Sequence, residues 1–222
     1  MRFITTFIKN TLIKNTLITL CLSTVFSTGA SFAAKPTDLV FLLKANSADK
    51  TNIYNSFVKN TVIAKDNKTG KINTRNYHVT VAWIENGKTD KNLVKAMNAE
   101  FKSVGSFIYN FGQAGIYQVS PTCPKPQPGN KKCTRNAVVL YPDLPTQESL
   151  KTINSRMHTA LENYNRANGK NFKMYNDIIP ENFTPHMTLA DTKQVNSKNR
   201  EKAVMQVNEN IKNSKFTYIK LN

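Results

Sequence analysis

The stretch FTPHMTLAD, residues 183–191, sets a histidine and a threonine two places apart in a short apolar run behind a proline. The chain holds a second stretch of the same kind, YHVTVAWI, at 77–84. Aligned, the two read His78-Val79-Thr80-Val81-Ala82 and His186-Met187-Thr188-Leu189-Ala190. The chain has three histidines, and two of them stand in this shared frame. In a β-strand, residues two apart share a face, so each histidine points the same way as its threonine while the residues between them enter the core. The same alternation places Ala82 and Ala190 on the histidine face as small residues that leave room for a ligand. It sends Tyr77 and Trp83 to the opposite, core-facing side. Two such strands side by side would line a cleft with two imidazoles and two hydroxyls.

That set meets the needs of phosphodiester cleavage without a metal or cofactor. A neutral imidazole takes a proton from the attacking oxygen, an imidazolium opposite protonates the leaving oxygen, and threonine hydroxyls donate hydrogen bonds to phosphate oxygens. Histidine suits both roles because small shifts move its pKa across neutrality. A zinc site built on the pair lacks a third ligand at a telling spacing. His158, in SRMHTALENY, has alanine two places on and reads as a helix-flank residue without a role.

Paired His-x-Thr-x strands, the second behind a proline, resemble the 2H phosphoesterase superfamily, which includes bacterial 2'-5' RNA ligases and cyclic nucleotide phosphodiesterases. The resemblance implies an α+β fold of two pseudo-symmetric lobes, each an antiparallel sheet with outer helices, around a central groove. It implies His78 and His186 as the acid and base pair, and Thr80 and Thr188 as phosphate-binding groups. The implied partners are RNA ends or nucleotides carrying a 2',3'-cyclic or 2'-5' phosphodiester. Many relatives continue the second motif with arginine where this chain has Asp191, so Lys193 or a lysine of another loop would take over that contact. A basic RNA-binding module with little turnover and a 2'-5' ligase are the alternative readings.

Outside the motifs, residues 1–34 carry Arg2, Lys9 and Lys14 without an acid, then the apolar run LITLCLSTVF and the small-residue stretch STGASFAA. This is the pattern of a secretory signal peptide, and an uncleaved anchor is its rival. Residues 35–222 are then expected to form a single bilobal domain, a monomer exported to the periplasm or medium, with no stable membrane association once the leader is removed. Losing three basic residues and no acidic one lowers the formal charge from +17 to +14, enough to steer polyanions toward it. In an oxidising compartment, Cys123 and Cys133, at the ends of CPKPQPGNKKC, are expected to close a surface loop as a disulfide.

Periodicity supplies the remaining elements. TDLVFLLK (37–44), SFIYNF, GIYQVS, NAVVLYPD and KFTYIKLN read as strands. Helices are expected over 47–58, from about Asp90 to Val104, from a Thr146 cap to about Arg166, and over 198–213. The mixed order lacks a regular βαβ rhythm and predicts antiparallel sheets.

Overall fold

The computed structural model describes residues 35–67, 76–118, 136–191 and 194–222. The leader, both cysteines and Lys193 lie outside the described residues. The fold is α+β with antiparallel sheets. Strands β1 (Leu39–Lys44) and β2 (His78–Ile84) form one sheet. Strands β3 (Phe107–Gln118), β4 (Asn136–Pro142), β5 (Met187–Ala190) and β6 (Tyr218–Leu221) form another in the order β5-β4-β3-β6. A bridge between Ala45 and Leu221, with paired backbone bonds between Lys44 and Asn222, joins the end of β1 to the end of β6. The hydrogen-bonded path thus runs from β2 through β1, β6, β3 and β4 to β5. It curls so that its two outermost strands, β2 and β5, approach one another.

Five α-helices are described: α1 (Ser47–Ile53), α2 (Val62–Asp66), α3 (Lys91–Lys102), α4 (Leu144–Asn168) and α5 (Arg200–Asn213). The first continues as a π-helical turn over Tyr54–Val58, which keeps Ile53 and Phe57 fully buried as the periodicity requires. The Asp90 carboxylate caps α3 by accepting from Asn92 N and Leu93 N at 2.9 and 3.1 Å. For α4 the cap is Asp143, which accepts from Thr146 N at 3.0 Å, and not Thr146. Pro145 lacks an N–H and is tolerated in the first turn, so the helix starts ahead of the threonine, which is buried. SFIYNF and GIYQVS, read as two pieces, are one strand. At Gly112 and Gln113 the ladder shifts register against β4, a bulge that interrupts the alternation without ending the strand.

Two further irregularities shape the site. Along β2, Phe41 faces Ala82 and Leu42 faces Thr80, so Val81 is an extra residue. Along β5, Val138 faces Ala190 and Val139 faces Thr188, so Leu189 is extra. Each motif therefore carries a β-bulge one residue after its threonine. A bulge resets the two-residue alternation. Ala82 and Ala190 consequently turn inward and are fully buried, contrary to the expectation that they floor the cleft. Trp83 turns out onto the histidine side.

A bulge also frees a backbone carbonyl, which must be satisfied if buried. Asn154 of α4, itself fully buried, donates from Nδ2 to the carbonyls of Val81 at 2.9 Å and Ile178 at 2.7 Å. Replacing Asn154 with leucine should cost about 2–4 kcal/mol in urea denaturation, since two interior acceptors lose their donor. Wild-type stability in that variant would show the Asn154 contacts to be dispensable.

Candidate active site

His78 is the first residue of β2 and His186 immediately precedes β5. Pro185 confines Thr184 to extended backbone, which turns the Thr184 carbonyl back toward the imidazole. His186 Nδ1 lies 2.8 Å from that carbonyl, and His78 Nδ1 lies 2.7 Å from the carbonyl of Asn76. A carbonyl oxygen only accepts, so in both rings Nδ1 carries the proton and donates it. Nε2 is then the nitrogen that gains and loses a proton, and the same tether fixes this in both motifs.

His78, Thr80, His186 and Thr188 converge on one cavity of about 130 Å³. All four residues predicted to carry the chemistry are thus brought together. His158 is not among the lining residues; it lies 3.9 Å from Glu162 on α4. Asp191 is not among them either. Its backbone ends β5 in a turn, with its carbonyl accepting from Gln194 N and Val195 N.

The cleft also holds Tyr117, Tyr175 and Asp177, which the sequence reading left out. Tyr117 of β3 stacks on the His186 ring with centroids 3.9 Å apart and planes 28° from parallel, while Tyr141 meets the same ring edge-on at 6.5 Å. Tyr141 can lie across β3 only because residue 115 is glycine. A Cβ there would come within 2.6 Å of its ring. Burial, with the nearby charge of Asp177, pushes the Tyr117 hydroxyl up to about 12, so it remains a neutral ring. Packed between these phenols, His186 is desolvated, and its pKa falls to about 4, with like-charge repulsion from His78 adding to the fall and the Thr184 carbonyl opposing it.

The lowered value has a stability consequence whose sign is fixed. Between pH 6.5 and about 4 the unfolded chain protonates this histidine and the folded chain does not. Stability is therefore complete above pH 6.5 and declines as the pH falls through that window, by an amount on the order of 2–3 kcal/mol. Melting temperatures from pH 7 to pH 4 should fall more steeply for wild type than for His186→Gln. Parallel curves would mean that His186 titrates as it would in water.

Trp83 forms the opposite wall. Its ring stacks on Tyr175 at 4.9 Å and 22°. Its indole Nε1 donates to Asp38 Oδ2 at 3.0 Å. Burial alone would raise the Asp38 carboxyl, but the backbone N–H groups of Asn86 and Lys35 and the indole outweigh it and hold the pKa below the ordinary value. A carboxylate with little exposed surface thus fixes the indole in place. The backbone assists, since Tyr175 N donates to the Trp83 carbonyl at 2.7 Å and Met174 bridges Ile84, laying the 173–175 segment along the outer edge of β2. Asp177 follows in a short 3-10 turn (Asn176–Ile178) and is the one carboxylic acid among the described lining residues. No lysine or arginine is among the described lining residues.

No protein family's model matches the chain, and no curated protein matches it. Among solved structures it matches "Structure of Kluyveromyces marxianus Usb1" with a TM-score of 0.42 and 10% identity, covering 83% of this chain and 91% of that chain. A likeness of that size carries no functional argument, and the case for function rests on the cleft itself.

Proposed function

We propose that the protein is a phosphodiesterase that opens 2',3'-cyclic phosphates or cleaves 2'-5' phosphodiesters of RNA or nucleotides by two-histidine acid and base catalysis. One observation carries the reading: two imidazoles, each with Nδ1 tied to the carbonyl two residues earlier, share one cleft with two threonines on the same strand faces. His186, kept neutral by burial, is the base that takes a proton from the attacking water. The acid's part then falls to His78, whose Nε2–H protonates the ribose oxygen as its bond to phosphorus breaks. Thr80 and Thr188 donate to the non-bridging oxygens, whose negative charge increases toward the transition state. Among the described lining residues, these hydroxyls and the His78 cation are the groups that supply electrostatic stabilisation.

The same groups would run the reverse, joining reaction, because the residue that protonates a leaving oxygen deprotonates an attacking one. Hydrolysis of 2',3'-cyclic nucleotides in the presence of chelator, with the position of the product phosphate identified, is the deciding experiment. Metal-independent turnover yielding one phosphomonoester isomer is the expected result. Absence of turnover on every cyclic and 2'-5'-linked substrate, together with salt-sensitive RNA binding that survives loss of both histidines, would favour a binding module.

A further inference from the structure

A carboxylic acid is out of place in a cleft that is to hold a phosphate anion. Asp177 is nonetheless one of its lining residues, on the side where Trp83 and Tyr175 stand stacked. It is near enough to Tyr117 and Tyr175 for its charge to raise both phenols. No donor among the described residues is hydrogen-bonded to its side chain, and burial is the only influence that moves its own pKa, upward. It is a partly desolvated acceptor awaiting donors. The backbone holds it there firmly: Ile178 N donates to the Tyr175 carbonyl at 2.8 Å, and the Ile178 carbonyl is gripped by Asn154.

Next to a phosphate such a group repels the ligand. Next to a base edge it selects, because the four bases differ in the donors they present. Adenine and cytosine offer one amino group beside a ring acceptor. Uracil offers one imino N–H between two carbonyls. Guanine alone presents two adjacent donors, N1–H and the N2 amino group, matched in spacing to the two oxygens of a carboxylate.

We propose that Asp177 makes this cleft selective for guanine, its carboxylate accepting the two adjacent N–H groups of a base that lies along the Trp83 and Tyr175 wall. The inference rests on the reading of the cleft as a nucleotide phosphodiesterase site. It assigns a specificity-determining residue and a base class to that site.

The test is equilibrium binding of guanosine, adenosine, cytidine and uridine 3'-monophosphates to the full chain. Fluorescence of Trp83, the chain's single tryptophan, reports on the cleft. Guanosine 3'-monophosphate should bind roughly tenfold to hundredfold tighter than the other three, the discrimination given by one bidentate base contact. Asp177→Ala should erase that preference. Asp177→Asn should shift it toward adenosine and cytidine, since an amide offers the acceptor and donor pair that both of these bases match. Circular dichroism of both variants separates loss of recognition from loss of fold. Equal affinity for the four nucleotides, or a guanosine preference that survives Asp177→Ala, would overturn the assignment. Failure of all four to bind would overturn it as well. Hydrolysis of cyclic nucleotides, measured separately, would still decide whether the phosphodiesterase reading stands.

Discussion

Replacing either His78 or His186 with alanine should lower turnover of a 2',3'-cyclic nucleotide by about 10²–10⁴-fold, the usual contribution of a positioned acid or base. The double substitution should cost little more than either single one, because a proton removed at one end of the reaction is useful only if another is supplied at the far end. His158→Ala, on the flank of α4, is the control and should leave the rate unchanged. Product analysis under single-turnover conditions separates chemistry from release. Losses that simply multiply in the double variant would indicate two independent roles in place of one relay. An unaltered rate in either single variant would remove that residue from the mechanism. The pH profile adds an internal check. If His186 is the base, the acid limb of kcat/KM lies well below the ordinary histidine value, because burial brings its pKa to about 4.

Thr80→Val and Thr188→Val keep the shape of the side chain and its β-propensity while deleting one donor each. Each should reduce kcat by roughly 10²–10³-fold with a smaller effect on KM, since a donor aimed at charge that develops during the reaction acts chiefly on the transition state. Both threonines are partly exposed strand residues, so melting temperatures should change little. A raised KM at constant kcat would recast them as ground-state contacts.

Both motifs, and the sharing of one cleft by their histidines and threonines, were legible in the sequence because two residues of separation has only one meaning on a strand. The helices α3 and α4 were legible for the same kind of reason, their apolar residues recurring at helical spacing. Trp83, Ala82 and Ala190 were misplaced because a β-bulge leaves no compositional mark. Val81 and Leu189 look like ordinary strand residues, and only the register with β1 and β4 shows them as extra. The cap of α4 was displaced by three residues because Asp143 stands before a leucine and a proline, a start less obvious than Thr146. Asn154 did leave a signal, a polar residue four places after Leu150 and three before Met157 on a stripe that is otherwise apolar. Asp38, Tyr117 and Asp177 left none, since their importance comes from partners distant in sequence that only the fold brings near.

The bonds between Lys44 and Asn222 bear on how the site comes into being during folding. The cleft lies between β2 and β5, the two ends of a curled strand path, and closing that path requires the segment after α5 to reach back to the first strand of the domain. Contacts of such long sequence separation form late and slowly, because their loop-closure entropy is spent before they give any return. Catalytic competence should therefore be the last property regained on refolding, lagging behind helix formation and tryptophan burial. Until then β1 and β3 keep open strand edges, the feature most prone to pair with another chain, so refolding yield should fall as protein concentration rises.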